Sequence, residues 1–508
     1  MDPASLDFKV LAPIGFVAIG AMAVLLLEVL IGRPRVAQGP APIGASPARA
    51  APRAGAALAL VSSLALVCAI YTAVAMFADG TDAVFNPARP MLQLDGFSSL
   101  VTAIVGMGAL FCVGLSITYL RALHIDHGEY YALLLLATAG MFVMVSAVDL
   151  LAVFLGLELM SIPIYALAAF DRRKLRSNES GLKYFLIGAF ASAILLYGMA
   201  LLYGATGHTD FDGIRAGFDY GSPIAMAGLA LVVVGFTFKV SAVPFHLWTP
   251  DVYEGAPTTV TAFMSVTVKA SAFAILLRFL MLALPEADDR LDAVFAVLAA
   301  LSMIVGNVMA LIQTNVKRLL AYSSIAHAGY ILIAFVAGTE EAHAAILFYL
   351  FVYVFMNVGA FGVMVALARG GQESERIDDF AGLARARPGL AALMTLFMLA
   401  LAGIPGTGGF IAKFYVFAAA VNADLLPLAI LGVLTSVVSV FYYLQLPVAM
   451  YMREPRDEEP ADASSSEWLV LVVCAVLVLY LGFFPDFLPF QEAVEFLQPP
   501  PAVAVLPH

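Results

Sequence analysis

The sequence predicts an all-α polytopic membrane protein, and three observations carry that prediction. Of its 508 residues, 62% are hydrophobic and only 12% charged, with a mean hydropathy of +0.94; a soluble domain is nearer half apolar and a quarter charged. The apolar residues fall in continuous runs of about 20, the length of a helix that crosses a bilayer, without the apolar–polar alternation of an outer-membrane barrel strand. The basic residues are also confined almost entirely to alternate connections between those runs.

Fourteen runs can be counted. They centre near Gly20, Leu66, Gly108, Met141, Glu158, Ala193, Val232, Lys269, Ala300, Ala328, Val354, Leu399, Val437 and Ala475. The fourth and fifth are nearly contiguous, with Asp149 marking the turn. The first, about Leu11 to Ile31, has no basic n-region or clear cleavage site and outruns a signal-peptide core, so it reads as a retained helix. Loops after odd-numbered runs hold seventeen Lys and Arg residues, from Arg33 and Arg35 to Arg453 and Arg456, with Lys317 and Arg318 among them. Loops after even-numbered runs hold only Arg89, Arg215 and Arg290. Positive residues stay on the cytoplasmic side, so both termini are expected on the outer, periplasmic face. No organelle signal is visible, which points to a bacterial inner membrane. The Pro/Ala/Gly-rich Gly32–Gly55 connection reads as flexible, and Glu454–Glu467 as a polar, mobile loop.

Several function classes are excluded. A net charge of −11 gives no basic footprint for nucleic acid. Cys68, Cys112 and Cys474 all lie in apolar runs, with no CxxC or Cys/His cluster for zinc, iron–sulfur or disulfide chemistry. None of the seven histidines has the i, i+4 partner of a helical metal site.

The informative residues are charges where charge is expensive. Lys183 and Arg278 lie near run ends and read as snorkelling to the interface. Glu28, at the cytoplasmic end of the first run, reads as interfacial. Lys239, Lys269 and Lys413 lie deep, in FTFKVSA, SVTVKASAF and GFIAKFYVF, as does Glu158 in LLAVFLGLELMSIPIYAL. A central ionisable residue costs about 2.5–3.5 kcal/mol to insert, so these four together cost about 10 kcal/mol. Such residues face a wet interior and mark an ion or proton path. The alternative, static ion pairs between helices, does not balance with three lysines to one glutamate.

Two runs are also broken. Lys239 is followed by Pro244 and Pro250, and Lys413 is preceded by Gly403, Pro405, Gly406, Gly408 and Gly409. Proline removes a donor and glycine loosens the helix, leaving carbonyls to be satisfied at membrane depth. Broken segments at matching positions of two halves point to inverted repeats. Runs four to eight would match nine to thirteen, giving units at 131–285 and 286–452 between an N-terminal three-helix part (1–130) and a loop with helix 14 (453–508). The spacing from Glu158 to Lys239 then resembles that from His327 to Lys413, which sets His327 opposite Glu158. One detail fits loosely, since the break follows the lysine in one run and precedes it in the other.

The runs PFHLWTPDVYEGAPTTVTAF from Pro244, LAGIPGTGGFIAKFY from Leu401 and AYSSIAHAGY from Ala321 closely resemble the subunit N family of the proton-pumping NADH:quinone oxidoreductases, respiratory complex I. The resemblance covers essentially the whole chain. Related subunits L and M and the Mrp-type cation/proton antiporter subunits differ after the Pro-Phe-His element. Subunit M carries a glutamate where Lys413 stands, and subunit L has a C-terminal extension with a lateral helix that nothing after Pro485 could form. One departure is that Pro405 is followed by Gly406, where the family commonly has a second proline.

The resemblance implies fourteen spans and a proton relay in which Glu158 and Lys239 form the input ion pair. Lys269 is then the central relay and Lys413 the outlet or the link toward the neighbouring subunit; His327 is an additional candidate from the repeat spacing. It implies no redox centre in this subunit; NADH, FMN, iron–sulfur clusters and quinone belong to partner subunits. The expected surroundings are M-like and K-like membrane neighbours and lipid. A sodium/proton antiporter subunit of the Mrp type is the alternative that the same buried lysines allow.

Overall fold

The computed structural model describes residues 6–31, 52–284, 289–368, 372–454 and 463–497. The predicted class is correct: among these residues, thirteen helices are long and apolar enough to cross a membrane. In chain order spans 1 to 6 are Phe8–Ile31, Gly55–Ala78, Gly96–Ala122, Gly128–Val145, Leu150–Ala168 and Leu175–Thr206. Spans 7 to 11 are Pro223–Val240, Thr258–Ala283, Arg290–Ala310, Val316–Ala337 and Glu340–Ala366. Spans 13 and 14 are Leu426–Met452 and Ser465–Phe483. Two half-length helices, Pro388–Ala402 and Gly408–Asn422, stand where the twelfth span is expected. Arg33, Arg35, Arg49, Arg369 and Arg456 lie outside the described residues, as does most of the two connections read as flexible.

Polar residues set the ends of these helices. Asp149, the expected turn, caps span 5 by accepting from the Leu151 N–H at 2.7 Å. Asp95 caps span 3 in a reciprocal box with Ser98. Ser464 and Glu467 form another box at the start of span 14, so Glu467 belongs to a helix, not to the loop expected there. Each cap satisfies N–H groups that a helix start leaves unpaired.

Burial sorts the spans into layers. Spans 10 and 11 are buried almost throughout and span 8 nearly so, whereas span 1 exposes most of its surface. Spans 8, 10 and 11, being the most enclosed by neighbouring helices, form the centre. Close backbone approach joins neighbouring spans. A Cβ on Gly140 of span 4 would stand 2.3 Å from the Met160 nitrogen of span 5, so only glycine permits that contact.

Both breaks are present. After Val240 the chain turns through Ser241, at φ +63°, and resumes as the helix Trp248–Gly255. After Ala402 it turns through Gly403 and Gly406, at φ +85° and +88°. Both values lie in the left-handed region that favours glycine, so the break persists without a second proline. Span 8 holds a third irregularity with no sequence signal, a π-helical turn at Met264–Val268 immediately before Lys269.

Candidate functional site

All three deep lysines are buried, at 2%, 2% and 4% exposure for Lys239, Lys269 and Lys413. Lys239 occupies the last turn of the first half of span 7. Its Nζ donates to Ser161 Oγ on span 5 at 2.8 Å. Glu158 lies one turn earlier on that span, half-buried, with Oε1 shielded from solvent and without a hydrogen-bond partner. The implied Glu158–Lys239 ion pair is therefore not closed in this structure: the ammonium is spent on a serine hydroxyl, and no N···O contact within 4.0 Å joins the two charges among the described residues.

Lys269, following the π-helical turn of span 8, donates to the Ser324 carbonyl of span 10 at 2.6 Å. A π-turn leaves its carbonyls poorly matched to the α-helical ladder, and such turns concentrate at functional positions. One turn beyond Ser324 is His327, whose ring nitrogens bond the Tyr349 hydroxyl at 2.6 Å and the Tyr443 hydroxyl at 3.1 Å. Tyr443 in turn bonds Ser323. One more turn along is Tyr330, which receives from Asn307 Nδ2 at 3.1 Å. Asn307 Oδ1 accepts from Tyr442 at 3.0 Å. Tyr330 also underlies Lys413, whose Nζ stands 5.0 Å from its ring centroid. Ser324, His327 and Tyr330 thus recur at i, i+3 and i+6 on one face of span 10, and that face runs from Lys269 to Lys413. The spacing is legible in AYSSIAHAGY, although only His327 was singled out from it.

Lys413 reaches back across its break. Its Nζ donates to the carbonyls of Leu401 and Ala402, each at 3.0 Å, and to Ser436 Oγ at 2.9 Å. Those carbonyls end a half-helix and lack intrahelical partners, at the pole where backbone dipoles favour a cation. This geometry accounts for the mismatched break order. Lys239 precedes its break and Lys413 follows one, yet Lys239 stands in the last turn of its half-helix and the Lys413 ammonium reaches the last turn of the half-helix before its own break.

Two sequence expectations are corrected. Arg278 does not snorkel: it is fully buried and holds Asp95 through two bonds, Nη1–Oδ1 at 3.1 Å and Nη2–Oδ2 at 2.6 Å. A paired carboxylate on span 3 removes the need to reach water. Lys317, read as a loop residue, lies in the first turn of span 10 at 1% exposure, bonded to Glu375 at 2.8 Å and to the Ala256 carbonyl at 3.0 Å. Lys183 sits as expected near its span end, between Glu179 and Asp251.

Lys317 belongs to a charged layer that ties together the loops expected to be cytoplasmic. Glu373 accepts from Lys174 at 2.9 Å, from the Thr258 hydroxyl at 2.6 Å and from Tyr119. Its loop position thereby caps the start of span 8. Burial pushes the Glu373 carboxyl up, but Lys317, Lys174 and the two hydroxyls outweigh this and hold it at about 2. Asp251 likewise pairs with Lys183 at 2.8 Å and with Arg318 at 2.7 Å. Among the described residues, Glu28, His127 and Glu129 are the only grouping with metal-donor spacing. His127 and Glu129 are exposed, and Glu28 accepts from the Gly128 N–H at 2.8 Å, which reads as a helix cap.

The bundle, its two broken spans and its row of buried lysines define an antiporter-like membrane subunit. Residues 147–439 match the family described as NADH:quinone oxidoreductase/Mrp antiporter, transmembrane. The chain is 44% identical over 447 residues to NADH-quinone oxidoreductase subunit N of Trichlorobacter lovleyi, an alignment covering 87% of this chain and 91% of that one. Its structure resembles a chain of respiratory complex I from Thermus thermophilus with bound aureothin, with a TM-score of 0.77, 34% identity, and coverage of 95% and 99%. A chain of the Mrp complex from Dietzia sp. shares the fold, with a TM-score of 0.83 over 96% and 97% but only 21% identity. The chain belongs to the NADH-quinone oxidoreductase subunit N family.

Proposed function

We propose that this chain is a proton-translocating subunit of the membrane arm of an NADH:quinone oxidoreductase. It passes protons through Lys239, Lys269 and Lys413, with Glu158 modulating the first lysine and His327 joining the second to the third. The observation that carries this reading is the row of polar groups along span 10, from the Ser324 carbonyl through His327 to Tyr330, which lies between two buried lysines. Uncompensated lysines at that depth are retained where they move charge. NADH oxidation, flavin, iron–sulfur clusters and quinone are assigned to partner subunits, and the chain works as a non-redox member of a hetero-oligomer with M-like and K-like neighbours. Its place is a bacterial inner membrane with both termini periplasmic; the charged layer of Lys174, Lys317, Arg318 and Glu373 supports a cytoplasmic assignment for the opposite side.

The division into inverted five-span units, 131–285 and 286–452, belongs to the same proposal. Support comes from two isolated bridges, Asp149 with Asp210 and Asn315 with Arg376. Each joins the cap of a second span to the connection before a fourth, and each spans 61 residues, 149 to 210 and 315 to 376. On that register Ser324 stands opposite Glu158, one turn from the His327 that chain spacing suggests.

In the mechanism, burial disfavours the charged lysine and an approaching carboxylate favours it. Movement of Lys239 toward and away from Glu158 therefore loads and releases a proton, and quinone reduction elsewhere in the complex drives that movement. The test is proton pumping by membrane vesicles carrying Lys239→Ala, measured beside NADH oxidation. Loss of pumping with the complex assembled is expected; a wild-type proton yield refutes the relay.

A further inference from the structure

We infer that Tyr165 and Tyr184 form an aromatic cage that holds the Lys239 ammonium apart from Glu158, making them positioning residues of the relay. The inference rests on the relay reading above and names what occupies the second position of its first lysine. Lys239 Nζ lies 5.6 Å from the Tyr165 ring centroid, 5.8 Å from that of Tyr184 and 5.9 Å from that of Phe238. An ammonium has three donors, and Ser161 is the one side chain that accepts from it. The remaining positive surface faces rings. The negative face of an aromatic ring attracts a cation, most strongly when both are out of water.

The cage is held from several sides. Tyr165 meets Tyr184 edge-on at 4.9 Å, and Tyr184 stacks on Trp248 at 4.5 Å with an interplanar angle of 7°. Trp248 Nε1 donates to the Phe238 carbonyl at 3.0 Å, which also accepts from the Ser241 N–H at 3.1 Å where the first half of span 7 ends. The break thus folds the chain back so that its second half backs the ring beside Lys239. On span 6, a Cβ at Gly188 would stand 2.2 Å from Tyr165 Oη, so glycine makes room for that ring. Tyr165 Oη is buried, and its ring is presented to the Lys239 ammonium.

Glu158, Ser161 and Tyr165 recur at i, i+3 and i+7 along span 5 and share one face. The lysine stem can swing between the carboxylate and the Ser161–tyrosine position by about one helical turn, 5.4 Å. Neutral partners at one end and a carboxylate at the other give two states for one ammonium. Lys413 over Tyr330 at 5.0 Å repeats the ring contact in the second half of the chain.

The test replaces Tyr165, and separately Tyr184, by phenylalanine and then by mono-, di- and trifluorinated phenylalanine. Fluorine drains the ring face while nearly conserving its shape, so packing alone predicts no trend. Protons pumped per NADH oxidised are measured in vesicles, normalised to assembled complex, with Lys239→Ala in parallel. Pumping is expected to fall stepwise from phenylalanine, by about threefold at the trifluorinated residue. A flat series with Lys239→Ala inactive overturns the cage and leaves the relay standing. Wild-type pumping in Lys239→Ala overturns both.

Discussion

Arg278→Met should be among the most destabilising single changes in this chain, and its cost follows from the structure. Arg278 and Asp95 have side chains exposed by 0% and 1%. Their paired bonds at 3.1 and 2.6 Å join span 8 to the start of span 3. Removing the guanidinium leaves the carboxylate buried, with only the Ser98 N–H at 2.8 Å and the helix start to solvate it. Breaking a buried pair in this way costs about 3–5 kcal/mol, more than a hundredfold in the folded population at about 1.4 kcal/mol per factor of ten. Adding Asp95→Asn should recover most of that loss, because asparagine still caps Ser98 but brings no charge. The assay is the melting temperature of this subunit within the detergent-purified complex, for wild type, both single variants and the double variant. An Arg278→Met complex that melts with wild type, or a double variant that melts no higher than Arg278→Met, refutes the reasoning.

Two further outcomes test the charged layer around Glu373 and the twelfth-span break. Glu373 is held at about 2, below its ordinary 4.5, so ionised Glu373 contributes stability that is fully present above pH 4.5 and is lost as pH falls toward 2. Glu373→Gln should therefore lower the melting temperature at neutral pH and flatten the pH dependence between those values; a variant with the wild-type acid limb excludes this assignment. Gly406→Ala forces a side chain into φ +88° and should cost about 1–2 kcal/mol. Gly15→Ala, where an added Cβ meets nothing within 4 Å, should cost far less, and equal melting of the two variants contradicts the strain argument.

The spans were legible because a bilayer imposes a length and a composition on each segment independently of its neighbours. Asp149 was legible as a turn for a similarly local reason, since it caps its own helix. The breaks announced themselves through proline and glycine. Arg278 was misread because its place in the sequence, near a span end, says nothing of Asp95, 183 positions away. Lys317 was misread because a basic residue between apolar runs looks like a loop until Glu375 and the Ala256 carbonyl are folded around it. The deep lysines were found by their cost, which is a property of one residue. Ser161, Tyr165, Tyr184 and Ser436 were not, since serine and tyrosine are inexpensive in a membrane helix and become informative only beside an ammonium.

That asymmetry bears on how the site works. Each deep lysine bonds a neutral group: a hydroxyl at Lys239, a carbonyl at Lys269, two carbonyls and a hydroxyl at Lys413. In a low-dielectric interior a fixed carboxylate beside each would favour the charged form and oppose release of the proton. Dipolar partners lessen the cost of burying an ammonium without supplying a full opposite charge. A relay needs that intermediate strength at every station where a proton must both arrive and leave. The proposed relay also needs a carboxylate where its cycle is controlled, and the half-buried Glu158, one turn from Ser161 and not in contact with Lys239, is the carboxylate on that face of span 5.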